Sequence, residues 1–417
     1  MNILLSTGYL PKAQFANINI AYNLANELEK LGHKCYIIGI SNDDFKITKT
    51  SNGIPVYKMH TNNLYNIAME KLKLFIDSNN VKKNLRLKFL IKHPVHSFNL
   101  FYYLKKFNSK NETGCYKTIL EHFILDKKID AIIGFCYPFN LANVLKELNV
   151  NVKKIYHQFD PHGLHLQLDI SKKDQRIKEE VSLIENTTKT ITTQILYKNY
   201  INHPNYSHLK DKLISADFPT FIKKEDISAE PAFVFDENYI NLLFCGTLDD
   251  DFRNPEQMLK ILKPILVNNS KIRIYFLGNT NNCKILKKID SDISNQIFIK
   301  STVPNTVANS TIMASDILIN IGSTIPNMLA SKIFDYFSTC KPILNIQTIE
   351  NCSAEEYFNK YPNQFTLKTY EKFTKQDKLL SFILNSQNVK LNYEDIEKIY
   401  YTATPKYVAK QIEDIIK

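Results

Sequence analysis

The chain has 417 residues and a formal net charge of +11 at neutral pH, which leaves room for two domains. Hydrophobic residues make up 44% of it and charged residues 23%, the balance of a globular protein. The chain contains no apolar run of about 18 residues, so no membrane-spanning helix is predicted. The first residues lack the basic and apolar regions of a secretory signal. The seven cysteines form no C-x-x-C pair, which favours a reducing cytosol and argues against a disulfide framework or a zinc site.

The first half of the chain begins with a strand, a helix and a second strand. After the apolar strand 2–6, apolar residues from Ile20 to Leu31 recur with a helical period, and the helix ends at Gly32. A buried strand follows at 34–40. This order predicts a parallel sheet with helices on both faces. Further buried strands are predicted at 130–135, 153–159 and 189–194.

The positive charge is concentrated in a basic segment, residues 71–106. The segment holds nine Lys and Arg residues and one Asp, a net charge of +8, interleaved with Leu, Phe and Tyr. Such a mixture suits an anionic membrane surface or a phosphate-bearing partner, and a pair of helices with solvated lysine faces is the alternative. No nucleic-acid recognition motif accompanies the charge, so we expect no nucleic-acid partner.

The strand–helix pattern starts again after a polar stretch at 222–236, with buried strands at 240–246, 271–278, 297–301, 316–322 and 342–346. We therefore expect an α/β protein with two Rossmann-like, doubly wound domains that face each other across a cleft, where such folds bind ligands. The expected units are residues 1–225, residues 236–400 and a helix at 401–417 that begins at a Thr-Pro pair and crosses back to the first domain.

Two stretches of the second half carry candidate binding residues. In GTLDDDFRNPEQ, Arg253 stands between a strand end and a helix start, where a diphosphate is favoured; a surface arginine at a turn is the alternative. The second stretch follows the strand that ends at Gly322, where Ser323 begins a turn. A helix is expected from 327 to 339, and in it Lys332 lies one turn before Asp335. An ammonium suits phosphate and a carboxylate suits ribose hydroxyls, whereas an ordinary Lys-Asp pair within the helix is the alternative.

Several motifs are absent. The first strand is not followed by G-x-G-x-x-G, and the chain has no Walker A loop, H-E-x-x-H or G-x-S-x-G. The acidic run Asp249–Asp251 lies in a turn and favours a turn over a metal site. We therefore expect no cofactor and no metal ion.

Together these pieces resemble the GT-B glycosyltransferases, in particular glycosyltransferase family 4 of the bacterial surface-polysaccharide type. The resemblance rests on GTLDDDFRNP, on SKIFDY and CKP, and on an opening with Gly-His before the second strand, and it covers essentially the whole chain. It implies an acceptor-binding first domain and a nucleotide-sugar-binding second domain. The implied donor-binding residues are Thr247, Arg253, Gly322, Ser323, Asn327, Lys332 and Asp335.

The chain departs from the family pattern at three of these motifs. Thr247 replaces an arginine after the strand glycine, so phosphate contact would fall on Arg253 and Lys332. Asn327 replaces the glutamate that contacts the donor sugar in retaining members, which leaves the stereochemical outcome open. Cys340 replaces a glycine before Lys-Pro, so a left-handed backbone there would be mildly strained.

The resemblance also implies an acceptor site on the first domain. Inverting transfer needs a carboxylate or histidine that takes the proton of the acceptor hydroxyl. In HQFDPHG, Asp160 follows a strand and precedes Pro161, which favours a fixed, extended backbone. Asp160 is the preferred base and His157 the second candidate; a helix-capping role for Asp160 is the alternative.

The function expected from the resemblance is transfer of a sugar from a nucleotide diphosphate donor to a lipid-linked or glycan acceptor, in cell-surface polysaccharide or glycoprotein synthesis. The expected location is cytoplasmic, on the inner face of the cell membrane. The rival interpretations are a nucleotide-sugar 2-epimerase of the same fold and a non-catalytic sugar-binding member.

Overall fold

The computed structural model describes residues 1–10, 16–41, 46–59, 109–135, 138–166, 168–224 and 229–417. Within these ranges the chain forms two separate sheets with helices packed against them, which confirms the expected α/β fold with two Rossmann-like domains. The basic segment lies outside the described residues. None of the helices in the described ranges is long and apolar enough to cross a bilayer.

The first sheet has eight strands: β1 (Asn2–Tyr9), β2 (Lys34–Ile40), β3 (Lys46–Lys49), β4 (Pro55–Met59), β5 (Ala131–Phe135), β6 (Lys153–Gln158), β7 (Lys189–Thr192) and β8 (Leu213–Ser215). Their order is β3-β4-β2-β1-β5-β6-β7-β8. β3 pairs antiparallel with β4, and the other pairs are parallel. The helices of this half are α1 (Ala16–Lys30), α2 (Ser109–Lys127), α3 (Phe139–Ala142), α4 (Val144–Glu147), α5 (Lys173–Glu185) and α6 (Gln194–Ile201).

The second sheet has six parallel strands: β9 (Ile240–Cys245), β10 (Ile272–Leu277), β11 (Ile297–Lys300), β12 (Ile317–Ile321), β13 (Ile343–Gln347) and β14 (Gln364–Lys368). The helices that follow are α7 (Glu256–Asn268), α8 (Asn305–Ala314), α9 (Lys332–Phe337), α10 (Glu355–Phe358), α11 (Gln376–Asn385), α12 (Tyr393–Ile399) and α13 (Pro405–Ile416). Short 3₁₀ helices lie at Ile170–Lys172, Ser207–Lys212, Ile285–Lys287, Ser294–Gln296, Ser386–Asn388 and Tyr401–Ala403.

The strand order places a ligand crevice in each half. In the second sheet the order is β11-β10-β9-β12-β13-β14, so the chain runs outward from β9 in one direction and from β12 in the other. The first sheet reverses in the same way between β1 and β5. Ligands of open parallel sheets bind beyond the carboxyl ends of the strands at such reversals.

The expected helix at 327–339 is wrong at its start, because α9 begins only at Lys332. Two of the preceding residues form hydrogen bonds to other loops. The Asn327 side chain donates from Nδ2 to the Leu164 carbonyl at 2.7 Å, and the Met328 carbonyl accepts from Ser353 Oγ at 2.7 Å. Asp335 therefore lies in the first turn of a short helix rather than in the middle of a long one.

Two local expectations are confirmed. Gly32 has φ +85° after α1, and Cys340 has φ +59°, the left-handed conformation that L residues adopt at a cost of roughly 1–2 kcal/mol. At the other end of the chain, Thr404 caps α13 by accepting from the Tyr407 N–H at 3.1 Å, and α13 packs on α1. The division into domains at residues 225 and 236 stays a prediction.

Candidate functional site

A cavity of about 640 Å³ opens at the carboxyl edge of the second sheet. It lies where β9 and β10 end, and the turn before α8 forms one wall. Its volume falls within the range of small-molecule sites, roughly 300–1,000 Å³. The lining residues are Cys245, Gly246, Thr247, Leu277, Gly278, Asn279, Thr302, Val303, Pro304, Asn305, Thr306, Ala308 and Lys332.

The floor of this cavity depends on a close approach between two strand ends. Gly278 has φ +136°, and a Cβ at this position would collide with the carbonyl oxygen of Gly246. Only glycine fits both the backbone conformation and the space. The paired glycines leave backbone, rather than side chains, facing the cavity at the ends of β9 and β10.

Lys332 brings a positive charge to the cavity wall. Its helix is anchored one turn later, where the Tyr336 hydroxyl accepts from the Cys245 N–H at 2.9 Å. Burial by itself lowers the pKa of the Lys332 ammonium, but the neighbouring Cys245 and Asp335 side chains raise it, and the net shift is upward. Within the described part of the chain the ammonium forms no hydrogen bond or ion pair. A partly buried cation of this kind is free to bind an anion.

Arg253 is a second partly buried cation that forms no side-chain hydrogen bond or ion pair with the described residues. It lies in the turn between β9 and α7, and this turn is tied to the loop after Ser323 because the Thr324 N–H donates to the Phe252 carbonyl at 3.0 Å. Burial lowers the pKa of Arg253, and the charges of Asp249 and Asp160 oppose the shift. Its guanidinium has no hydrogen-bond partner among the residues described, although it does not line the 640 Å³ cavity itself.

Asp335 does not pair with Lys332. Its Oδ1 instead accepts from Nζ of Lys224 at 2.9 Å, and the two side chains are only 23% and 13% exposed. Lys224 belongs to the connection between the sheets, 111 residues away in sequence. The carboxylate keeps its second oxygen for another donor, such as a ribose hydroxyl.

The other expected donor-binding residues lie around these charges. Thr247 is exposed and lines the cavity. Gly322 and Ser323 follow β12: the Gly322 N–H donates to the Ile346 carbonyl at 2.8 Å, and Ser323 Oγ accepts from the Ile325 N–H at 3.2 Å. Asn327 reaches across to Leu164 in the first half of the chain, and its Oδ1 is buried without a hydrogen-bond partner in the described ranges.

Asp160, on the first sheet, lies close enough to Arg253 for their charges to interact. It lies two residues after β6 and is partly buried. Burial raises the pKa of its carboxyl to about 6, and the charge of Arg253 works in the opposite direction. Its carboxylate has no hydrogen-bond or ion-pair partner in the part of the chain that the structure describes. A carboxyl with a pKa near the working pH suits general base catalysis.

His157 is placed differently. It is fully buried within β6, and its ring lies 5.5 Å from the ring of Phe135 and 4.4 Å from that of Phe159, measured between centroids. Burial lowers its pKa to about 3, and neither ring nitrogen has a partner among the described residues. In this position the ring is neutral at ordinary pH and packs among aromatic side chains.

Residues 302–306, which form one wall of the cavity, were not predicted from the sequence. A signal was available: β10 and β11 end at the same edge as β9, and Pro304 precedes a helical pattern. Like Arg253, this turn lies between a strand end and a helix start, but it contains no basic residue. Among residues with described positions, no three His, Cys, Asp or Glu side chains converge as a metal-ligand set.

The raised pKa of Asp160 predicts a pH-dependent effect on stability. Because its folded-state pKa of about 6 lies above the ordinary value of 3.8, the fold favours the protonated carboxyl, and that contribution to stability is lost as the pH rises from about 4 to 6. Asp160→Asn imitates the protonated form at every pH. Its Tm should match that of the wild type near pH 4 and exceed it above pH 6.5.

Thermal unfolding across this pH range tests the expectation. Asp377→Asn, at an exposed position in the first turn of α11, controls for the loss of one negative charge. A Tm difference for Asp160→Asn that does not grow with pH would show that the carboxyl is not destabilised by its surroundings.

Comparison with known proteins identifies the fold of this chain through solved structures rather than through sequence. No family model matches the chain, and no curated protein matches it in sequence. A glycosyltransferase structure from Rickettsia africae ESF-5 is similar to it with a TM-score of 0.60 at 12% identity, covering 100% of this chain and 97% of that one.

Two further solved structures, of enzymes with different activities, are similar to the chain. A UDP-forming α,α-trehalose-phosphate synthase from Burkholderia xenovorans in complex with glucose-6-phosphate has a TM-score of 0.59 at 8% identity, with 100% of both chains covered. A UDP-GlcNAc 2-epimerase from Methanocaldococcus jannaschii has a TM-score of 0.55 at 13% identity, covering 99% of this chain and 100% of that one. At such identities the likeness shows the fold alone, and the fold is GT-B.

Proposed function

We propose that the protein is a glycosyltransferase that moves a sugar from a nucleoside diphosphate donor to a glycan or lipid-linked acceptor. One observation carries the proposal: Lys332 and Arg253, two partly buried cations without described protein partners, lie at the carboxyl edge of the second sheet, and the unpaired carboxyl of Asp160 lies near Arg253. Buried charges without partners are costly, and a diphosphate and an acceptor hydroxyl would supply what these groups lack.

The donor would occupy the cavity beside β9 and β10. Lys332 is on its wall and would contact the diphosphate, with Arg253 on the side that faces Asp160. Asp335 would accept from the ribose hydroxyls while it keeps Lys224 as a partner. Thr247 would border the diphosphate, and Gly322, Ser323 and Asn327 would border the donor sugar.

The transfer step follows from these placements. Asp160 would take the proton of the acceptor hydroxyl as its oxygen attacks the anomeric carbon. The bond between that carbon and the diphosphate oxygen breaks, and the negative charge that develops on the leaving diphosphate is stabilised by Lys332 and Arg253. This chemistry needs no metal ion, because the two cations supply the compensating charge. His157 is too deeply buried to act as the base.

An epimerase is the second candidate, because a UDP-GlcNAc 2-epimerase shares the fold at full length. An epimerase would return an isomer of its nucleotide sugar and need no acceptor. A transferase releases nucleoside diphosphate, slowly to water when acceptor is absent. A non-catalytic sugar-binding protein would do neither, so NMR of the nucleotide sugar after incubation separates the three.

Nucleotide affinity should depend on both charged residues of α9. Lys332→Ala and Asp335→Ala should each weaken nucleoside diphosphate binding by about 1.5–3 kcal/mol, the range for hydrogen bonds to charged groups, because each removes a direct contact. Isothermal titration with UDP, GDP and ADP measures the loss.

Lys224→Ala is the matched control for Asp335. It removes the ion pair seen in the structure but leaves the carboxylate in place, so it should reduce stability and retain nucleotide affinity. If Lys224→Ala and Asp335→Ala lower the Tm alike and neither changes affinity, Asp335 serves only the fold.

Turnover should depend on Asp160 while nucleotide affinity does not. Asp160→Asn keeps the size of the side chain and removes its basicity, so we expect a rate loss of about 10²–10⁴, the usual contribution of a general base. The wild-type rate should rise with pH through about 6 as the carboxyl ionises, and this limb should vanish in the variant.

His157→Phe provides the comparison, because it fills the aromatic cage without ring nitrogens and should retain turnover. Loss of activity in His157→Phe with survival in Asp160→Asn would reverse the assignment. Survival in both would favour a retaining reaction, and the anomeric configuration of the product decides that case.

The basic segment supports a peripheral position on the inner face of the cell membrane, and with it a role in cell-surface polysaccharide or glycoprotein synthesis. Because this segment carries a net charge of +8 among aromatic residues, the protein should bind vesicles that contain anionic lipid. It should dissociate from them at high salt, because screening weakens the attraction. Sedimentation with anionic and neutral vesicles tests this. Binding that ignores salt, or no binding, would favour helices with solvated lysine faces.

A further inference from the structure

Glu180 is a fully buried carboxyl on α5, behind the turn that follows β6. Its Oε1 accepts from the His162 N–H at 2.6 Å and from Nε2 of Gln158 at 2.5 Å. Its Oε2 accepts from the Gly163 N–H at 3.0 Å and from the Tyr206 hydroxyl. A carboxylate offers about four acceptor sites, and here each is used.

The same face of α5 holds the turn at further points. Arg176, one helical turn before Glu180, donates from Nε to the His162 carbonyl at 3.1 Å and from Nη1 to the Asp169 carbonyl at 2.5 Å. Gly163 lies so close to the helix that a Cβ there would be 2.8 Å from Cα of Ile177. The turn is thus fixed to α5 through the N–H groups of His162 and Gly163 and the carbonyl of His162.

These contacts surround Asp160 without touching its carboxylate. Nε2 of Gln158, which donates to Glu180, is also 3.3 Å from the Asp160 carbonyl oxygen. The N–H groups of His162 and Gly163, the nearest following donors in the turn, are occupied by Glu180. Backbone N–H groups that bond to a carboxylate stabilise its charged form and make it a weaker base. Glu180 therefore keeps these two donors away from Asp160.

We infer that Glu180 is a positioning residue: it holds the turn 160–163 on α5 so that Asp160 faces Arg253 with a carboxylate free of backbone donors. The inference rests on the proposed function, because it gives Glu180 a role only through Asp160. A buried carboxyl that served the fold alone would affect stability and the amount of folded protein, but not the rate of each folded molecule.

Glu180→Gln makes a specific change. The amide retains one acceptor oxygen for His162 and Gln158, and the Tyr206 hydroxyl can rotate to accept from the new NH₂ group. The Gly163 N–H then faces a donor and loses its partner. We expect the release of nucleoside diphosphate to fall about 10–100-fold, as small displacements of a catalytic group do, with nucleotide affinity and binding stoichiometry unchanged.

A double-mutant cycle tests whether the effect passes through Asp160. The comparison covers the wild type, Glu180→Gln, Asp160→Asn and the double variant. The quantity measured is the rate at which each hydrolyses a nucleotide sugar and releases nucleoside diphosphate when no acceptor is present. The substrate is the UDP-, GDP- or ADP-sugar that raises the Tm most. In the Asp160→Asn background, Glu180→Gln should cause no further loss. Leu183→Ala, at a fully buried apolar position on the same helix, should lower the Tm but not the rate per bound nucleotide.

The outcomes are distinguishable. Two outcomes would overturn the role of Glu180 while Asp160 stays the base. One is a rate loss in the double variant equal to the product of the two single losses, and the other is an unchanged rate in Glu180→Gln. An unchanged rate in Asp160→Asn alone would overturn the assignment of Asp160 and with it this inference. If Glu180→Gln does not fold, Arg176→Met, which removes the donors to the carbonyls of His162 and Asp169 and keeps the apolar stem, should show the same dependence on Asp160.

Discussion

The burial of charges without protein partners is the constraint on which the rest of this structure depends. Lys332, Arg253 and Asp160 are all partly buried, and none has a hydrogen-bond partner for its charged group in the described part of the chain. Taking a charge out of water costs several kcal/mol unless a partner offsets it. Burial disfavours the charged forms of Arg253 and Asp160, whereas Cys245 and Asp335 offset this effect for Lys332. Such local conflicts are typical of functional sites.

The distance between the two halves of the site is set by aromatic packing. Phe159 stacks on Phe218 with ring centroids 4.7 Å apart, and Phe218 lies 6.4 Å from Phe334. Asp160 follows the first of these rings in sequence, and Asp335 follows the last. The apolar side chains join the halves, and their polar neighbours face the space between them.

A buried polar cluster supports the same junction. Asp217 is fully buried and accepts from the Tyr357 hydroxyl at 2.6 Å, the Thr402 hydroxyl at 2.9 Å and Nε2 of Gln194 at 2.7 Å. These partners come from the first half, the second half and the C-terminal segment. Both the aromatic stack and this cluster limit how the carboxyl edge of the second sheet can move relative to Asp160.

Local pattern in the sequence was enough to predict the fold, but not every partner within the site. The buried strands β9, β10 and β12 and their glycine ends are readable because hydrophobic runs and turn residues are local signals. The partner of Asp335 is not readable, since Lys224 is 111 residues away. The late start of α9 depends on Leu164 and Ser353, which belong to other loops. Glu180 was missed because an acidic residue in an amphipathic helix is ordinarily solvent-exposed.

Thermal stability in a graded series of ligands tests the central claim most directly. Nucleoside, nucleoside monophosphate and nucleoside diphosphate should raise the Tm in increasing order, because Lys332 and Arg253 gain a partner only from the phosphates. A ligand at 100 times its Kd contributes about 2.7 kcal/mol of stability. For the preferred base, the diphosphate should therefore give the largest shift, and high salt should reduce it. Equal shifts for nucleoside and diphosphate, or no shift with any base, would contradict the assignment of these buried cations to a diphosphate site.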